Sequence, residues 1–246
     1  MKISLIAPSH RTYLWKTFFE SIITNLDFEV IFVTDKEPKP EEIPKAYNFK
    51  WIYSTVKPAQ CFEIAYRQST GTHIIWCGDD FIYGPYVLDH LYAMYKSFYD
   101  YRVMIACNVY QDGYSARHEH VVPWDNNIRL TTTGLISKEA IEEVGGLADI
   151  QFVCGHWDCD LMMRIYAKGG RLFECPTAMA YEPHSQFHKS EANFATSWQE
   201  ELNYFTQLWQ KDGKTIQERQ KLFQPYTNEN ILIENQGPSG KWASKP

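Results

Sequence analysis

The sequence contains no run approaching the roughly 20 consecutive apolar residues that cross a bilayer. It also has no basic surplus: 24 Lys and Arg stand against 30 Asp and Glu, a formal charge of -6 at pH 7. Nucleic-acid binders present a basic stripe to the phosphate backbone, so that class is excluded. Any nucleotide ligand should be small and held with a metal. Cysteine is sparse for a disulfide scaffold, with six residues at Cys61, Cys77, Cys107, Cys154, Cys159 and Cys175. None forms the close Cys-x-x-Cys pair of structural zinc sites, which argues against zinc held by Cys154, His156, Cys159, Cys175, His184 or His188. Reduced thiols and a cytoplasmic setting are the expectation. The opening segment has a short apolar run that passes at once into Arg11-Thr12-Tyr13-Leu14-Trp15-Lys16, so it reads as a first strand and not as a signal peptide. Glycine is missing from Pro8-Ser9-His10-Arg11-Thr12, where a nucleotidyltransferase would carry a glycine-rich basic loop.

Apolar residues are plentiful, at 44% of the 246 positions, enough for a sizeable core. The first half alternates short apolar runs with helical spacing. Strands are expected at Ile3–Ala7, Phe28–Val33, Trp51–Thr55, Thr72–Cys77 and Val103–Cys107. Between them, Leu14, Phe18, Ile22 and Leu26 mark one helix, Pro58 opens a second that stops at Gly71, and Pro85 opens a third. Alternation of this kind argues for a mostly parallel, Rossmann-like central sheet with helices on both faces. The polar stretch 111–127 reads as a loop, Leu130–Ile136 as a strand, and Ser137 as the cap of a short helix ending at Gly145-Gly146. Asp158–Lys168 reads as a helix and Arg171–Cys175 as a strand. A C-terminal helical extension carries Phe194, Trp198, Leu202, Phe205 and Trp209 on one face. Residues 1–224 are expected to form one domain and 225–246 a polar tail.

Three clusters could carry chemistry. Gly78-Asp79-Asp80 follows a buried strand, and two adjacent carboxylates can hold a hard cation that bridges a diphosphate. Asp158 and Asp160 sit two apart on a helix, so only one of them faces a site. His184 and His188 follow a strand and could ligate a metal. Taken singly, these are also what a turn, a helix cap and a surface histidine look like. Asp35 and Asp79-Asp80 both fall at expected carboxyl ends of strands, where such sheets hold ligands.

In their order these features resemble glycosyltransferase family 2, with the GT-A fold, over about the first three quarters of the chain. The resemblance is carried by the turn Ala7-Pro8-Ser9-His10-Arg11, Asp35 after the second strand, and the segment from Ser69 to Asp80. Further along it is carried by Thr133-Gly134-Leu135-Ile136-Ser137-Lys138-Glu139 with Gly145-Gly146, and by Asp158-Cys159-Asp160-Leu161-Met162-Met163-Arg164 with Gly169-Gly170. The metal motif reads Gly-Asp-Asp, and Trp157 stands where the family has a carboxylate. The resemblance implies an inverting single displacement from a nucleotide-diphosphate sugar, most simply a UDP-sugar. Asp80, with Asp79 and His184, would hold Mn2+ or Mg2+. Asp158 would be the general base, and Asp35, Ala7, Pro8 and Arg11 would line the nucleotide pocket. Trp157 and Gly134 would face the acceptor, which could be a glycan, a lipid-linked or a small molecule. The other reading left open is an inactive sugar-nucleotide-binding relative that serves as an interaction module.

Overall fold

The computed structural model describes residues 1–111, 114–116, 119–122, 125–183, 195–210 and 223–226. Its order is β1 (Lys2–Ser9), a 3-10 turn (Thr12–Leu14), α1 (Trp15–Ser21), β2 (Asp27–Thr34), β3 (Phe49–Tyr53), α2 (Pro58–Gln68), β4 (His73–Trp76), β5 (Ile82–Tyr83) and α3 (Val87–Lys96). There follow β6 (Val103–Gln111), β7 (Tyr114–Ala116), β8 (Glu119–Val122), β9 (Asp125–Thr131), β10 (Gly134–Ser137), α4 (Lys138–Glu143), α5 (Trp157–Ala167), β11 (Arg171–Glu182) and α6 (Ala195–Gln210).

The central sheet runs β3-β2-β1-β4-β10-β6-β11-β5. β3, β2, β1 and β4 are mutually parallel, as are β6 and β11. β10 is antiparallel to both its neighbours, β4 and β6, so β6 points the same way as β4. The carboxyl ends of β1, β2, β4, β6 and β11 therefore share one rim. Alternate residues along each strand divide between two cores. Ile6, Ile31, Val33, Ile74, Trp76 and Met104 pack under α2, α4, α5 and α6. Leu5, Val30, Phe32, Ile75, Cys77 and Ile105 pack under α1 and α3. Each fully buried side chain of this size contributes about 1.5–3 kcal/mol, which is why both faces need a helical cover. The expected α/β class with helices on both faces is what forms.

The boundaries differ in instructive places. α1 ends at Ser21 and does not reach Leu26, because Asp89 of α3 takes the Thr24 hydroxyl (2.6 Å) and holds the turn before β2. The third helix begins at Val87, two residues after Pro85. Stretch 111–127, expected as a loop, contributes to β7, β8 and β9, with β8 and β9 pairing antiparallel. The expected strand Leu130–Ile136 breaks between Thr131 and Gly134, and the Thr131 hydroxyl there donates to the Thr133 carbonyl (2.9 Å). β11 runs on past Cys175 to Glu182. Ser137 caps α4 as expected, its hydroxyl accepting from the Ala140 N–H (3.0 Å). Near the C-terminal end, Pro225 bridges to Asp149 and Tyr226 is buried. Among the described residues, no helix is long and apolar enough to cross a membrane, and all six thiols are free.

Candidate active site

β1 lies between β2 and β4, and the strand order turns outward from this pair in both directions. The crevice outside two such strands is where open α/β sheets hold ligands. Here the turn after β1 and the turn after β4 are fastened together. Asp79 Oδ2 accepts from the Ser9 hydroxyl (2.8 Å) and from the backbone N–H groups of His10 (3.0 Å) and Arg11 (2.9 Å). Its Oδ1 accepts from Arg11 Nε (3.0 Å) and Nη2 (2.5 Å). Arg11 Nη1 lies 2.9 Å from Asp80 Oδ2, so one guanidinium spans both carboxylates. Burial works against the Arg11 charge, but Asp79 and Asp80 more than offset it and hold the group firmly ionised. Trp15 Nε1 donates to the Ser9 hydroxyl (2.6 Å) and ties this network to the core.

Both carboxylates are almost fully enclosed, at 2% and 4% exposure. They line a small cleft with Thr17, Phe18 and Pro183, among others. Asp35 joins from β2 through His10 Nδ1 (2.9 Å), with both side chains about half exposed. Ala7 is buried beneath the turn and Pro8 is half-buried. The donor set suits a hard divalent cation. Mg2+ commonly takes one or two protein carboxylates and completes its shell with phosphate oxygens and water, and here two carboxylates already face a cationic group. Among the described residues no group of three or more His, Cys, Asp and Glu gathers to hold a metal. His184 and His188 lie outside the described residues; Pro183, on the cleft wall, immediately precedes His184.

The second acidic site opens α5. His156, just before the helix, adopts the left-handed conformation (φ 55°), sparsely populated for a residue with a Cβ and common near functional sites. The two aspartates then diverge. Asp160 is buried, accepts from Arg164 Nε (2.7 Å) and Trp209 Nε1 (2.9 Å), and acts as a structural tie. Arg164 also donates to the carbonyls of Val144 (3.0 Å), Gly146 (2.8 Å) and Leu147 (2.7 Å). Asp158 is half-buried, and its Oδ1 accepts from the Cys159 N–H (2.8 Å). Burial pushes its carboxyl up to about 6, against the opposing pull of that N–H. A carboxylate in this range suits a general base working near neutral pH.

Trp157 and Gly134, expected on the acceptor side, are instead built into the core. Trp157 is 3% exposed, with its ring 4.5 Å from Phe62 and 6.3 Å from Trp76. Gly134 lets β10 approach β6, since a Cβ there would lie 2.5 Å from the Ile105 carbonyl oxygen. Arg11, Asp35, Asp79 and Asp80 thus meet at the rim, and Asp158 stands outside that hydrogen-bond network. The Trp76–Trp157 contact joins the two, Trp76 ending β4 three residues before Asp79 and Trp157 preceding Asp158. Sequence reasoning passed over Ser9 and His10, although both lie inside the turn it singled out. It also passed over Glu201, which stands four and eight positions before Phe205 and Trp209 and whose carboxylate accepts from the N–H groups of Val153, Cys154 and Gly155 just ahead of α5.

No protein-family model matches the chain, and no curated protein sequence does. Solved structures match its fold. A structure of S. aureus TarS 1–349 superposes with a TM-score of 0.63 at 14% identity, over 89% of this chain and 68% of that one. TarS 1–349 in complex with UDP-GlcNAc gives 0.59 at 13% identity, over 95% and 66%. A structure of S. aureus TarS gives 0.60 at 13% identity, and the chain spans 43% of its length. At these identities the likeness is one of fold, a mixed α/β body with a central sheet like that of TarS.

Proposed function

We propose that the chain is a glycosyltransferase that moves a sugar from a UDP-sugar to an acceptor hydroxyl with inversion. The observation that carries this reading is the cluster of Arg11, Asp79 and Asp80 at the carboxyl ends of β1 and β4. A departing diphosphate needs positive charge opposite it in a crevice that excludes water, and this cluster offers a cation held by two carboxylates. The fold shared with TarS, which was solved in complex with UDP-GlcNAc, supports the same reading.

In the proposed reaction the acceptor oxygen attacks the anomeric carbon from the face opposite the leaving group. The bond from that carbon to the diphosphate oxygen breaks, and its electron pair leaves with UDP. The acceptor proton passes to Asp158, and such a base typically contributes about 10²–10⁴-fold. Asp35 would accept from the base or ribose of the nucleotide, beside Ala7, Pro8 and Arg11. Asp80, with Asp79 and His184, would hold Mn2+ or Mg2+, which supplies charge neutralisation at the diphosphate. Arg11 would move from the two carboxylates toward the phosphate oxygens.

The test is thermal unfolding with UDP and UDP-GlcNAc, with and without Mn2+. A ligand at about 100 times its dissociation constant should add about 2.7 kcal/mol. No stabilisation by any nucleoside diphosphate or sugar nucleotide under either condition removes the reading. A second reading, an inactive sugar-nucleotide-binding relative, is favoured by the full engagement of Asp79 by Ser9, His10 and Arg11. Nucleotide binding without release of UDP from UDP-GlcNAc, even with Mn2+, would select it.

A further inference from the structure

One face of α6 is directed at the segment that delivers Asp158. Glu201, Phe205 and Trp209 recur every fourth residue and so share that face. Glu201 is 4% exposed, and its carboxylate accepts from three consecutive backbone N–H groups: Val153 (3.2 Å) and Cys154 (2.9 Å) on Oε1, and Gly155 (2.7 Å) on Oε2. Successive N–H groups turned to one side form an anion-binding concavity, and a buried carboxylate satisfies it with charge-assisted bonds. Phe205 lies parallel to the His156 ring (18°, centroids 6.2 Å), and Trp209 reaches Asp160. The backbone then carries the constraint forward. The Trp157 N–H donates to the Gly155 carbonyl (2.7 Å), and the Asp160 N–H donates to the His156 carbonyl (2.9 Å). The three N–H groups held by Glu201 are thus followed directly by left-handed His156, then by the first turn of α5 and Asp158.

We infer that Glu201 is the positioning residue for Asp158, setting the direction of the first turn of α5 by fixing residues 153–155 from a helix more than 40 positions downstream. The inference rests on Asp158 being the base. Its logic is geometric: about 1 Å of misplacement at a reacting group can cost roughly 10²-fold in rate. Stability of the helix pair alone has a separate anchor in Trp209 and Asp160, so the two roles can be told apart.

The experiment is a double-mutant cycle on the full chain, following UDP released from UDP-GlcNAc with water as acceptor, in single turnover where rates are low. Glu201→Gln keeps the shape but removes the charge and sets an amide NH2 against at least one of the three donors. It should lower kcat by about 10²-fold, leaving the KM for UDP-GlcNAc and the calorimetric affinity for UDP unchanged. In an Asp158→Asn background the same change should cost nothing further, because the group it positions is already gone. Glu201→Asp, which keeps the buried charge, should retain more kcat than the amide, and it carries the same cycle if Glu201→Gln fails to fold. An equal loss in both backgrounds, a rise in KM at constant kcat, or unchanged kcat overturns the inference. Asp158→Asn turning over at the wild-type rate, or wild-type protein that binds no UDP-GlcNAc, overturns instead the reading on which it rests.

Discussion

Two acidic sites built from the same residue type are treated in opposite ways by this fold. At the rim of β1 and β4, Asp79 and Asp80 are nearly fully enclosed, yet a guanidinium lies against both, and the backbone N–H groups of His10 and Arg11 donate to Asp79. At the start of α5, Asp158 has its carboxyl pushed up to about 6 by burial, and the hydrogen bond opposing that shift comes from the adjacent Cys159. The first arrangement suits the cation-holding role proposed for Asp79 and Asp80, and the second the proton-accepting role proposed for Asp158. The partner each carboxylate is given is what would separate a ligand from a base.

The largest expected effect breaks the second site. Asp158→Asn should lower UDP-sugar turnover by about 10²–10⁴-fold with UDP affinity retained, measured as kcat against a calorimetric dissociation constant. Wild-type turnover would erase the distinction between the sites. Next comes the first site. Arg11→Met removes the cation from two enclosed carboxylates and should destabilise the fold by about 3–5 kcal/mol in urea unfolding, since breaking a buried pair leaves its partner uncompensated. Added Mn2+ should recover part of that loss if the carboxylates are able to hold a metal; an equal loss with and without Mn2+ would count against it.

The third is a pH effect. Below pH 6, kcat should fall about tenfold per unit as Asp158 takes up its proton, and level off above it. A profile flat down to pH 4.5 would contradict the raised carboxyl. The smallest is a stability difference of the same origin. Asp158 binds its proton more tightly folded than unfolded, so its contribution is complete below about pH 4 and lost as pH rises through 6. Asp158→Asn should therefore be more stable than wild type at pH 7 by roughly 1 kcal/mol, solvent screening at this half-buried group reducing the roughly 3 kcal/mol that the full shift would carry, with the gap closing near pH 4. Asp149, also raised to about 6 by burial, shifts both proteins alike.

The sequence made the strand–helix alternation legible because β2 and β4 are buried on both faces, so residues 30–33 and 74–76 read as unbroken apolar runs. It also exposed both acidic motifs, through their positions after a strand and at a helix start. It hid β8 and β9, whose residues include His, Arg and Asn. It hid the fate of Trp157, because an aromatic beside a polar motif looks the same whether it meets a sugar or Phe62. The partner of Asp79 was out of reach because Arg11 is 68 positions away, and local spacing carries no record of contacts across such a distance. Glu201 was lost in the same way.

The three N–H groups grasped by Glu201 have a consequence for truncation. Residues 153–155 precede α5, and the carboxylate that satisfies them comes from α6, after the last strand of the sheet. A chain cut after β11 would keep every pairing of the central sheet and leave three donors unmet just ahead of Asp158, at a cost of about 1–3 kcal/mol for each one kept from water.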